Sequence, residues 1–549
     1  MKTLLGLLLS IVTYSSPVNY DITLAGNFGE PRPNHFHGGI DVKTERVQGK
    51  VIHSIGDGYV SRVTVGLYGY GNALYVQHPK GYTSVYCHLK SFTPQIESIV
   101  KKWQYKHRSS TADVHLKAYE CPVASGQMIA LSGNSGASEA PHLHLEIHET
   151  KSWKMVDPLD FLGAYIKDDV PPLAHAFMAY PQEGEGIFNN DTENRSYAFT
   201  SHSLTRAFTA WGKIGFGIWA NDYMPKSSGN KYGIRDTRLL VDGKEIFHSN
   251  VNNIPMEYNR MVNLWGDYEH YRQRNVWYIK SFKEPGNLLP FIETDASRGI
   301  VDFNQERDYH VQYILTDFFG NTAEYTFVVT GKRTLIPHVE KQENQTILYY
   351  NRTNVYKTDG AILTIPKGVL AKNTKVHESR NERHGDFSSI YSFTNSSTPL
   401  LDWARISIKL NKKVDNPNKL YIVCHSKFDM FMGGKYANGW VTGKLRDLGC
   451  SYEILYDNTP PEITPIAESQ WVNRKVVTFS VEDGHSGVAG CKGFIDGQFV
   501  LFSPVEKSTR FICNLSETPI QPQNKFRTLR FTAFDNLNNQ STITKQIKY

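Results

Sequence analysis

The chain has 549 residues, more than a single hydrophobic core supports, and is expected to hold about three to five domains. Charged residues make up 21% and aromatics 12%, with a formal net charge of +6; this is globular material without the strongly basic face of a nucleic-acid binder. The many Tyr, Phe, Asn, Thr and Gly lean toward β-structure.

Met1-Lys2-Thr3, the apolar run Leu4 to Val12 and the small residues Thr13, Ser15 and Ser16 read as a secretory signal peptide over residues 1–16. That run is too short to span a bilayer and no later one is long enough, so an exported chain with no membrane span is expected, in the periplasm or at the cell surface. Six cysteines in an exported chain suggest disulfides. Nearest-neighbour pairing would join Cys87 to Cys121, Cys424 to Cys450 and Cys491 to Cys513, with other connectivities open.

Residues 17–170 hold many short alternating runs broken by glycines, among them 58–65, 72–78, 82–89, 127–131 and 142–148. They predict a compact antiparallel β-domain with hardly any helix. The rhythm breaks at 90–120, where Ile96 to Tyr105 suits a short helix. Fifteen Lys/Arg balance fifteen Asp/Glu over residues 17–170, so the basic excess lies downstream, where a solvated surface is favoured over a site for an anionic polymer.

Asp168-Asp169-Val170-Pro171-Pro172 reads as a linker, and the sequence after it repeats. A strand ending at Asp222, a hairpin at Asp242-Gly243 and a turn from Asp317 to Asn321 have counterparts in a strand ending at Asp483, a hairpin at Asp496-Gly497 and a turn from Asp535 to Asn539. Each copy follows a Pro-Pro pair, at 171–172 and 460–461. The pattern predicts immunoglobulin-like β-sandwich modules over 171–335 and 457–549, with a β-rich module over 336–456 between them. The fold class is therefore mainly β.

Two stretches carry the chemistry. His37-Gly38-Gly39-Ile40-Asp41 offers an imidazole and a carboxylate four apart across a Gly-Gly turn. Pro141-His142-Leu143-His144-Leu145-Glu146 puts two histidines on one face of a strand. His37, Asp41 and one of that pair would give zinc three N/O ligands and leave a position for water, the layout of a catalytic site.

At these residues the sequence resembles the lysostaphin-like (LytM-type) zinc metallo-endopeptidases, which cleave peptides of bacterial peptidoglycan. His37 to Asp41 is similar to the family's His-x-Gly-x-Asp motif, Tyr86-Cys87-His88-Leu89 to its Tyr-x-His-Leu strand, and His142-Leu143-His144 to its His-x-His strand. Gly126 to Ala130 with Ser132 to Gly136 resembles the approach to that last motif, and Val156-Asp157-Pro158-Leu159 its exit. The resemblance covers about 150 residues in the family's order. It implies one zinc per chain on His37, Asp41 and His144, with His88 and His142 as catalytic histidines that do not bind the metal. It also implies peptidoglycan peptides as substrate, and a β-sandwich tail that docks to the wall or to an envelope protein, or covers the groove. The competing reading is a non-catalytic wall scaffold or an activator of another hydrolase.

Other histidines fit no motif. His35 is read as a loop residue or one standing just behind the ligands, His148 as reaching solvent, and His53, His78, His107 and His115 as surface residues. Glu146 is not a general base, since the chain lacks a His-Glu-x-x-His helix, and Arg32 and Asn34 are favoured as turn residues over substrate contacts.

Overall fold

The computed structural model describes residues 14–225, 229–338, 345–382 and 386–549. Residues 1–13, most of the predicted signal peptide, lie outside the described residues. Ser15, at its predicted end, donates its N–H to Ile55 O at 2.7 Å. Among the described residues no helix is long and apolar enough to cross a membrane. The chain divides into two compact units, one of Met1–Phe28, Gly38–Asp169 and Met224–Asn230, the other of Gly29–His37, Val170–Tyr223 and Lys231–Tyr549.

The first unit is built on an antiparallel sheet. Its strands are β1 (Leu24–Gly26), β2 (Gly39–Lys43), β3 (Gly58–Val65), β4 (Ala73–Gln77), β5 (Tyr82–Cys87), β6 (Ala112–His115) and β7 (His142–Glu149). They lie in the order β1-β2-β7-β5-β4-β3-β6. A three-stranded sheet of Val51–His53, Met128–Ser132 and Leu89–Phe92 accompanies it. Strand β7 shows why the sequence folds this way. Its residues alternate, so Leu143, Leu145 and Ile147 form one apolar face and are at most 1% exposed. The opposite face carries His142, His144, Glu146 and His148. Gly39 is required for β2 to lie against β7, because a Cβ there would stand 2.1 Å from Leu145 O.

The expected helix is present and longer than its sequence signal, α1 (Pro94–His107). Pro94 opens it, and Glu97 reaches back to accept the Phe92 N–H at 3.0 Å. Ile96, Val100 and Gln104, four apart, form its buried face. Arg108 closes it in a left-handed conformation.

In the second unit the strand-rich reading holds. The strands of 173–331 form a single hydrogen-bonded sheet, because the long strands Leu173–Phe188 and Phe208–Asn221 run through it and the second pairs with several partners. Helical segments at Met256–Met261, Val262–Trp265 and Tyr268–Arg274 interrupt that module, and the sequence pattern did not announce them. Strands within 354–456 form two five-stranded sheets around one core, with a two-stranded pair of Ile347–Leu348 and Thr374–Lys375 beside them in the sequence, and residues 462–548 form two four-stranded sheets around another core. The repeated turns recur in three dimensions. Asn321 N–H and Nδ2 donate to Asp317 at 2.9 and 2.7 Å, and Asn539 N–H and Nδ2 to Asp535 at 2.8 and 2.6 Å.

The six cysteines are free thiols, so none of the expected disulfides is present. Cys424 and Cys450 come within hydrogen-bonding reach of each other. Cys87 belongs instead to an apolar cluster with Ala73, Tyr75 and Val85.

A candidate metal centre on the polar face of one strand

Asp41 on β2 and His144 on β7 lie directly opposite in the register, and directly opposed side chains leave the same face of a sheet. Their atoms meet at 2.9 Å, between His144 Nδ1 and Asp41 Oδ1. His37 precedes the Gly38-Gly39 pair and is 1% exposed. Ligand atoms of His37, Asp41 and His144 all lie within 4.8 Å of one another. The three residues expected to bind metal are thus brought together, and two imidazoles and a carboxylate are a donor set that suits zinc.

Behind His144 stands a group the sequence reading set aside. Glu146 is 3% exposed, and its Oε1 lies 2.8 Å from His144 Nε2. His148 Nε2 donates to its Oε2 at 2.6 Å, and the Tyr70 hydroxyl to both oxygens at 2.9 and 2.8 Å. His148 does not reach solvent. It is 1% exposed and stacked on Trp153 at 4.5 Å. The Glu146 carboxylate therefore fixes His144 Nε2 and leaves Nδ1 on the Asp41 side, the arrangement by which outer carboxylates orient a metal-binding imidazole. Position alone could have found Glu146, two residues beyond His144 on the same strand face. Gly38 matters here as well, since a Cβ on it would stand 2.7 Å from Glu146 Oε1.

The electrostatics follow from burial and pairing. Burial opposes a charge on His144, but its hydrogen bonds to Asp41 and Glu146 outweigh that and raise its pKa to about 9. Burial likewise works against the Glu146 carboxylate, yet the bonds from His144 and His148 hold its pKa well below the usual range. Burial, aided by the neighbouring His144 and His142, pushes His88 down to about 3.

His88 and His142 both reach the centre. Their rings are 5.0 Å apart, and His88 is 5.8 Å from the His144 ring. His88 Nδ1–H donates to Ser135 O at 2.8 Å, which leaves Nε2 with its lone pair. His142 Nδ1–H donates to Ala140 O at 2.8 Å, and its Nε2 lies 3.3 Å from Asp41 Oδ1. The route by which His88 arrives differs from simple alternation along β5. Cys87, opposite His144 in the register, shares its face of the sheet. Tyr86 points the other way, where its hydroxyl accepts the Ile55 N–H at 2.8 Å. The strand ends at Cys87, and His88 turns into the site through a left-handed backbone with φ 59°.

The remaining histidines divide. His107 and His115 are exposed as expected, His53 is half-buried, and His35 is exposed on a short strand (His35–Phe36) and not in a loop. His78 is 4% exposed, bonded to Asp57 O at 2.9 Å and Ser84 Oγ at 2.8 Å, so it is a structural residue and not a surface one. A cleft of about 760 Å³ lined by Tyr59, His78, Pro122 and Gln127 includes none of the metal-centre residues.

Comparison with known proteins bears on the same region. The model of Peptidase family M23 matches residues 35–105, and that of the Zu5-like domain residues 345–457. An "Uncharacterized metalloprotease" of Haemophilus influenzae is 33% identical over 120 residues, which is 22% of this chain and 19% of the relative. The chain thus spans about a fifth of the length of that curated relative. Among solved structures, the catalytic domain of lysostaphin from Staphylococcus simulans is 23% identical, over 26% of this chain and 92% of that one, with a TM-score of 0.20. A zinc-containing peptidase from Vibrio cholerae is 26% identical, over 29% of this chain and 41% of that one, with a TM-score of 0.21.

Proposed function

We propose that this chain, whose residues 35–105 match the model of Peptidase family M23, is a zinc-dependent endopeptidase that hydrolyses peptide stems or cross-links of bacterial peptidoglycan. The observation that carries the reading is the convergence of His37, Asp41 and His144 within 4.8 Å, with His88 and His142 beside them. One zinc per chain would be held by those three residues and would supply Lewis-acid polarisation of a peptide carbonyl and of water.

The chain's own residues do the rest. Glu146 keeps the His144 ring in place through Nε2. His88, held neutral by burial, presents Nε2 as a hydrogen-bond acceptor, because Ser135 O fixes the proton on Nδ1. The His142 side chain keeps 17% of its surface exposed, and this contact with solvent suits it to carry the proton from the attacking water to the departing amine. Such a substrate would be met in the periplasm or at the cell surface, where the β-rich tail would dock on the wall or on an envelope protein.

The test is mass spectrometry of fragments released from purified cross-linked peptidoglycan, with His144→Ala as control. New peptide termini with the wild type and none with the variant are expected, and they would name the bond. An inert wild type that nevertheless holds one zinc per chain would favour the scaffold.

A further inference from the structure

Residues 29–37, which end on His37, belong to the second unit. Within that unit they form a small hairpin, Pro31–Arg32 paired with His35–Phe36, turning at Asn34 with φ 68°. Gly29 N–H donates to His37 O at 2.8 Å, and His37 N–H to Glu30 O at 2.9 Å, so the backbone of the ligand residue is itself part of the fold of the hairpin.

So short a hairpin cannot hold itself. What holds it comes from the helical segments more than two hundred residues downstream. Asn259 Oδ1 accepts the Phe36 N–H at 2.7 Å. Asn34 Oδ1 accepts from Arg260 Nη2 at 2.8 Å and from Asn263 Nδ2 at 3.1 Å, and Asn34 Nδ2 donates to Tyr268 OH at 3.4 Å. Arg260 is anchored in turn, its Nε donating to Leu400 O at 2.9 Å. The Phe36 ring is 0% exposed and packs 5.4 Å from Trp265 and 5.7 Å from Phe291.

We infer that the segment from Asn259 to Tyr268 positions His37, so that the affinity of the metal centre depends on Asn34, Asn259 and Arg260, none of which is a ligand. The inference rests on the metal-site reading above. A metal site tolerates little displacement of a ligand, and groups that orient ligands without touching the metal typically govern affinity by roughly 10- to 100-fold. Asn34 is then a positioning residue and not a substrate contact. Its side-chain oxygen already receives two donors, and asparagine tolerates the left-handed turn where a β-branched residue would not.

The experiment uses the full-length chain. Zinc affinity is measured by competition with a chromogenic chelator, and the geometry of the site is read from the visible spectrum of the cobalt-substituted protein. Asn34→Gly keeps the backbone freedom but removes both acceptor and donor, and Asn259→Ala removes the acceptor beside His37. Each is expected to weaken zinc binding roughly 10- to 100-fold and to shift the cobalt spectrum. Turnover should recover at saturating zinc, and Asn259→Asp, which retains an acceptor oxygen, should restore affinity. Should Asn259→Ala fail to fold, Asn34→Gly decides alone. Wild-type affinity and spectrum in the variants would overturn the inference and leave the metal site standing, whereas a wild-type chain that binds no zinc would overturn both.

Discussion

Glu146 is the residue whose replacement discriminates most sharply. Glu146→Gln keeps the volume of a side chain that is 3% exposed, but removes a charge serving three donors, His144 Nε2, His148 Nε2 and Tyr70 OH. A glutamine offers one acceptor oxygen in place of two and presents an NH₂ to a site already full of donors. If its oxygen stays with His148 and Tyr70, His144 Nε2 faces that NH₂ and the ring loses its anchor. One buried donor left unsatisfied costs about 1–3 kcal/mol. For a domain of about 150 residues that lowers the melting temperature by roughly 2–12 °C. Zinc affinity should fall roughly 10- to 100-fold, the usual effect of removing a carboxylate that orients a metal-binding imidazole. Calorimetric melting and chelator competition on purified protein measure the two effects separately. A Glu146→Gln variant that melts and binds zinc like the wild type would refute the claim that this carboxylate fixes His144.

Two further outcomes follow from the same geometry. His88→Gly removes the imidazole and suits the left-handed backbone at φ 59°; zinc stoichiometry should be unchanged while kcat falls about 10²- to 10⁴-fold, as judged by metal analysis and turnover on isolated wall peptides. His144 has a folded pKa raised to about 9, so the metal-free protein binds more protons folded than unfolded between pH 6.5 and 9. Its contribution to stability is fully present below pH 6.5 and is lost as pH rises through about 9, while zinc uptake at pH 7 should release about one proton. Melting of chelator-stripped protein against pH, and calorimetric zinc titration in buffers of different ionisation enthalpy, check the two signs.

Local signals read well where a period of two or a cap dominates. The alternation of His142 to Glu149, the helix after Pro94 and the paired turns at Asp317 and Asp535 were all legible, because each is decided by residues close in sequence, whereas the Gly-Gly pair expected to turn before Asp41 instead leads straight into strand β2. Alternation also separates Tyr86 from Cys87, but it does not say which of them shares the face of His144. That was fixed by the pairing of Cys87 with His144, and His88 reached the site only because the backbone turns left-handed after the strand. The helical segments near Trp265 escaped notice because each is short, and what stabilises them is packing with distant partners such as Phe36.

The sequence by itself determined that the chain is mainly β, where the candidate metal ligands lie along it, and that His142 and His144 share one strand face, since side-chain alternation and ligand chemistry are local properties. Tertiary structure alone decided that His148 and His78 are buried, that Glu146 stands behind His144, and that the hairpin bearing His37 is held by Asn259 and Arg260. Those outcomes depend on which distant polar groups meet once water is excluded, and a buried histidine or glutamate is written with the same letter as an exposed one.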